Sequence, residues 1–212
     1  FKLIVTIYSY KTEETNMANI DAAFGLRPLK TVGQQDDSTG MSQYNILPGE
    51  TAVIFQGAVV AGVAAGFADL SPDAGSSNLG AFWGCFYDDP TTQKPTFANF
   101  YPGSITPANG GAIECFVYDS PMQMFEVQSD NAGASAQADI FQTADTVGNA
   151  NGSTINGVSS MELDDGTLNT TVQQLKILGV SRDPENDELT NPNVNFRVML
   201  CDHLLGSGIA GV

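Results

Sequence analysis

The sequence predicts an all-β fold, mainly strand with minor helix, of barrel-like or sandwich type and preceded by an extended N-terminal arm. Three observations carry this. Short segments alternate apolar and polar residues with the period of two that a half-buried strand requires. Turn pairs recur between them, and Asn109-Gly110, Asn151-Gly152, Asn156-Gly157 and Asp165-Gly166 are of the kind that close hairpins. Helical patterning is scarce, and only residues 131–146, rich in Ala, read as one short helix.

Taken in order, residues 1–16 differ sharply in character from residues 17–212. Glu13 and Glu14 require two purine-rich codons placed shortly before the Met17 codon, as a bacterial ribosome-binding site would be, so this segment reads as a translated upstream leader. The alternation of Leu3, Val5 and Ile7 leaves an edge strand as the other reading. Residues 17–49 mix Gly, Asn, Gln and Asp with isolated apolar residues and no sustained period, which predicts an extended arm. Residues 50–212 form the β-rich domain.

Within that domain, residues 51–68 carry no charge, but Gly57, Gly62 and Gly66 interrupt them and Leu is absent, so buried strands broken by turns fit better than a membrane span. Residues 81–87 form an aromatic strand around Trp83, and Asp, Pro and Thr make 88–95 a turn. Residues 112–118 alternate Ile113, Cys115 and Val117 against Glu114 and Phe116, and 125–128 continue with period two after Pro121. The clearest strands come last. Residues 171–180 set Leu175 and Ile177 against Lys176, while 194–200 set Val194, Phe196, Val198 and Leu200 against Asn195 and Arg197.

Composition narrows the function. Across 212 residues, 24 Asp and Glu face 8 Lys and Arg, a net charge of -16 with a pI near 4.1. Nucleic-acid binding needs clustered cations to displace counterions, and here they are few and scattered, so neither nucleic acid nor membrane is an expected partner. Charged residues make up 15% of the chain against a usual value of about 25%, which points to a surface that is neutral or covered by a partner. Cys85, Cys115 and Cys201 match neither a zinc spacing nor a disulfide framework and read as small buried hydrophobes. The sequons at Asn151 and Asn169 are too common by chance to imply secretion.

Catalytic signatures are weak. His203 is the single histidine, and its neighbour Asp202 points to the opposite side in an extended strand. No Gly-x-Ser-x-Gly elbow occurs. Gly206, Gly208 and Gly211 spell Gly-x-Gly-x-x-Gly, yet no following helix is there to present its N-terminus to a pyrophosphate. The run Asp183, Glu185, Asp187, Glu188 resembles a calcium loop but has Glu188 at the sixth position and Val194 at the twelfth, so the sharp turn and the bidentate ligand are missing. The pairs Asp36-Asp37, Asp88-Asp89 and Asp164-Asp165 are adjacent in sequence and do not converge by spacing. The expectation is a protein that is not an enzyme, with no catalytic residue, cofactor or metal.

Residues 118–128 (YDSPMQMFEVQ), 157–164 (GVSSMELD), 175–186 (LKILGVSRDPEN) and 193–203 (NVNFRVMLCDH), together with Gly25, Leu26, Arg27 and Pro28, resemble a family of tailed-bacteriophage virion proteins, the capsid decoration or cement proteins encoded near the major capsid protein. The resemblance spans most of residues 17–212. It implies a β-barrel or β-tulip/sandwich-like subunit that forms a homotrimer on the outer capsid surface of the virion, made in the cytoplasm of a bacterial host, with the phage major capsid protein as partner. Between residues 69 and 103 the chain departs from the family pattern, and this aromatic stretch reads as an insertion or local elaboration.

Two residue groups are the expected contacts. Phe24, Leu26, Arg27, Pro28 and Lys30 of the arm are placed to clamp a capsid subunit or a neighbouring decoration subunit, with Arg27 and Lys30 pairing to carboxylates. Trp83, Phe86, Tyr87, Phe97, Phe100 and Tyr101 are the expected interface aromatics. Three copies would carry three times -16, so apolar contacts must dominate, and attachment is expected to persist in molar salt. The alternative function is a virion-displayed head fibre or a receptor- or glycan-binding β domain whose rings stack on sugars.

Overall fold

The computed structural model describes residues 18–31 and 40–206, and the expected leader, Asp36-Asp37, Gly208 and Gly211 lie outside the described residues. The protein is mainly β, with three antiparallel sheets. In chain order the strands are β1 (Arg27–Thr31), β2 (Ser42–Ile46), β3 (Val59–Gly62), β4 (Ala68–Leu70), β5 (Asn78–Asp88), β6 (Pro95–Ala98), β7 (Ile113–Tyr118), β8 (Gln123–Gln128), β9 (Thr143–Ala144), β10 (Thr146–Val147), β11 (Glu162–Leu163), β12 (Leu175–Val180) and β13 (Asn195–Leu200). One sheet runs β1-β8-β13-β12-β9, a second runs β2-β7-β5-β3-β4 with β6 paired to β5, and β10 and β11 form a small ribbon.

Period-two alternation places the core. On β12 and β13, Leu175, Ile177, Phe196, Val198 and Leu200 are buried, while Lys176, Arg197 and Met199 stand on the opposite face. The buried set joins Leu26, Phe125, Val127, Met161 and Leu163 in one cluster, to which Val59 and Ala81 of the six-stranded sheet also belong. Their immediate neighbours Val60 and Phe82 turn to the other side and enter a second cluster with Ile54, Cys85, Ile113, Cys115 and Val117. A central strand buried on both faces therefore links two cores, which is why β3 and β5 read as nearly continuous apolar runs.

Gly80 marks the closest approach in this sheet. A Cβ there would lie 2.2 Å from the Tyr118 carbonyl oxygen on β7, so only glycine fits.

Several segments differ from expectation. Residues 131–146 form a single 3-10 turn, Gln137–Asp139, followed by β9, because the buried Thr143 and Ala144 pair with β12 instead of extending a helix. Residues 27–31 and 42–46, read as arm, are edge strands of the two large sheets. Apart from these differences, the 69–103 stretch supplies β5, whose first half pairs with β3 and whose second half pairs with β6.

Candidate interaction surface

The N-terminal segment lies along its own subunit. Asn19 donates to the carbonyls of Glu188 (3.0 Å) and Pro192 (2.8 Å), Gln128 accepts from the Ala22 amide (2.8 Å), and Asn186 and Gln128 both donate to the Ile20 carbonyl. These buried amide side chains give a backbone with no ladder of its own the partners it needs. Gly25, at φ +69°, then turns the chain inward. The Leu26 amide bonds to the Gly57 carbonyl (2.8 Å) and its side chain enters the core.

The expected arm contacts separate accordingly. Leu26 is a core residue in this subunit, with only an edge reaching the surface, a correction to its reading as an intersubunit contact; burying it is what anchors β1. Arg27 lies with its guanidinium 4.0 Å from the Phe24 ring centroid and donates to Glu126 at 2.9 Å. Both a cation-π contact and an internal carboxylate thus hold it. Pro28 sits opposite Phe125, and Lys30 is exposed.

Phe24, Leu26, Arg27 and Pro28 meet Trp83, Gln56, Gly57 and Val158 around an open cavity of about 370 Å³. The structure thereby brings four arm residues and one of the expected aromatics into a single site. Trp83 occupies a bulge in β5, between Phe82 and Gly84, and its ring meets Tyr118 edge-on at 5.3 Å. A bulge adds one residue and re-aims its side chain, which explains why Trp83 faces the arm.

The remaining aromatics divide by strand phase. Tyr87 is in phase with Cys85 and is buried, and Tyr101 is fully buried with its hydroxyl donating to the Glu50 carbonyl (2.9 Å) and accepting from the Ile105 amide (3.2 Å). Both belong to the second core, a correction to their reading as interface residues. Phe100 is half-buried and stacks on Phe55 at 5.8 Å. Phe86 and Phe97 pair across β5 and β6 on the outer face and remain 38% and 56% exposed. Phe97 leans over Gly84 toward Phe116, at 6.2 Å between ring centroids, because a Cβ at Gly84 would stand 2.7 Å from its ring. Sequence reading missed Phe116, although its alternation against Cys115 and Val117 already placed it outside the core.

The titratable groups group differently from their spacing. Glu162 lies near Asp21 and Asp130, and Asp165 lies near Asp130, Asp139 and Asp164. Burial first, and these like charges after it, push both Glu162 and Asp165 up to about 7. Both Asp165 carboxylate oxygens are buried without a hydrogen-bond partner. His203 is buried, accepts from the Leu205 amide through Nδ1 (3.1 Å), and is lowered by desolvation. Burial raises the Cys85 and Cys115 thiols to about 12, so neither is a nucleophile at neutral pH. Among the described residues no three His, Cys, Asp or Glu side chains are arranged to hold a metal ion, and no helix is long and apolar enough to cross a membrane.

Comparison with protein-family models, curated proteins and solved structures finds no match to this chain.

Proposed function

We propose that this chain is a structural protein of a tailed-phage virion, which coats the outer surface of the head as a trimer and stabilises it by bridging capsid subunits. The supporting observation is the open aromatic face of the six-stranded sheet, where Phe97 and Phe86 are 56% and 38% exposed beside Phe116. Adjoining exposed rings mark a surface that gains by being covered. Each aromatic side chain buries on the order of 150–250 Å², at about 25 cal/mol per Å² of apolar surface. The mechanism is linkage: a ligand that binds the assembled shell alone stabilises it by mass action.

Hydrophobic burial does not weaken with ionic strength as exposed ion pairs do. The test is co-sedimentation of the purified protein with undecorated heads in molar sodium chloride. The expected result is retention on the heads, with Phe97→Ser weakening it by at least tenfold. Release on salt addition alone contradicts an apolar contact.

An open cavity lined by Phe24 and Trp83 also suits a sugar-binding domain displayed on the virion. A glycan array separates the two readings, because a cement protein gives no sugar-specific signal.

A further inference from the structure

The two large sheets carry opposite charge. The strands of the five-stranded sheet hold Arg27, Lys30, Lys176 and Arg197 against the single carboxylate Glu126. Those of the six-stranded sheet hold Asp69, Asp88 and Glu114 and no cation. In a chain with net charge -16, this places four of the six Lys and Arg among the described residues on the strands of one sheet, leaving Lys94 and Arg182 outside them. Glu126 is already satisfied by Arg27 and by the Ser181 hydroxyl. No carboxylate within this subunit pairs with Lys30, Lys176 or Arg197 among the described residues.

These three cations form one patch. Lys176 lies opposite Met199, and Met199 lies opposite Met124, so all three side chains share the outer face of the sheet. Leu29, Lys30, Met124 and Arg197 line one shallow cavity of about 290 Å³ at its other side. Half-exposed methionines between cations give apolar area and charge together, and thioether side chains adapt to a partner's contour. The complementary surface is on the same chain. Asp21, Asp130, Asp139, Glu162 and Asp164 gather around the β10–β11 ribbon and the end of β8, where the Asp130 amide donates to the Leu163 carbonyl (2.9 Å) and the Asp165 amide to the Asp130 carboxylate (3.2 Å), and none forms an ion pair among the described residues.

We propose that the outer face of the five-stranded sheet docks on the acidic cluster of a second copy of this chain, head to tail, through Lys30, Lys176 and Arg197. The two surfaces are different, so the contact is heterologous and closes a ring when repeated about a symmetry axis. The count of three rests on the function proposed above; the contact itself rests on charge placement. Opposed charges also set register, since like charges brought together at an interface repel and exclude the wrong alignment.

The test is charge reversal in the full chain at physiological salt. Among the described residues, the Lys30 and Lys176 side chains make no hydrogen bond within the subunit, and neither do those of Asp21 and Glu162, so K30E/K176E and D21K/E162K leave internal pairing intact. Analytical ultracentrifugation is expected to show self-association of the wild type, at least tenfold weaker association of each double variant alone, and a one-to-one complex when the two variants are mixed. A cooperative thermal melt of each variant separates loss of contact from loss of fold. A wild type that stays at 22.3 kDa, unchanged association of K30E/K176E, or failure of two folded variants to combine each overturns the proposal. Wild-type protein that binds heads yet remains a monomer removes this inference alone. Charge-swapped association without head binding removes the proposed function alone.

Discussion

At the scale of single residues, two side chains make stability depend on pH. Glu162 and Asp165 titrate near 7 in the folded protein because burial and neighbouring carboxylates disfavour their charge, against about 4 in an unfolded chain. A carboxyl whose folded value is raised stabilises fully below its unfolded value and loses that contribution as pH rises through the folded one. Melting temperature is therefore expected to rise between pH 8 and pH 5. His203 opposes this in part, since its lowered value gives stability that is lost as pH falls. The Asp165 share is isolated by Asp165→Asn, which should raise the melting temperature at pH 8 and leave it nearly unchanged at pH 4. Equal effects at both pH values would contradict the assignment. Gly84 is a second test at this scale. Adding a Cβ under Phe97 is expected to cost about 1–3 kcal/mol in urea unfolding, as overpacking does, and to weaken head attachment by lifting the ring. The carboxylate cluster was not legible in the sequence, because Asp21, Asp130 and Glu162 are brought together only by the docking of the N-terminal segment and of β11 against the end of β8.

At the scale of elements, alternation revealed the strands with one buried face. β7, β12 and β13 follow it directly, with Ile113, Cys115 and Val117 or Phe196, Val198 and Leu200 inward. Edge strands were not legible. β1 presents mixed, half-exposed side chains with no period, and β2 alternates exposed Gln43 and Asn45 against Ser42, Tyr44 and Ile46 over only five residues, so the place of each depends on partners distant in sequence. Strand β1 is held chiefly by Leu26 just before it. Leu26→Ala is expected to cost about 2–5 kcal/mol, the range for a buried leucine, and to speed amide exchange across Arg27–Thr31 before other strands are affected. Uniform exchange throughout both sheets would show that β1 is not a separable unit. Trp83 illustrates the other limit of sequence reading. Its aromatic strand was evident, but the bulge that turns it toward Phe24 and Pro28 was signalled only by Gly84, an isolated glycine inside a strand.

At the scale of the whole molecule, the fold separates two kinds of contact surface. The outer face of the six-stranded sheet is aromatic and acidic, and that of the five-stranded sheet is cationic and lined by methionine. Net charge alone concealed this, since -16 averages a positive sheet with acidic loops. The proposed division of labour has a physical basis: apolar rings hold a shell at any ionic strength, while opposed charges select the neighbour and its register. The most direct measurement is imaging of heads mixed with the purified protein in molar salt and then washed. The account predicts ordered density on the outer surface, with the Phe86–Phe97–Phe116 face against the shell. Bare heads with all of the protein in the supernatant would contradict it.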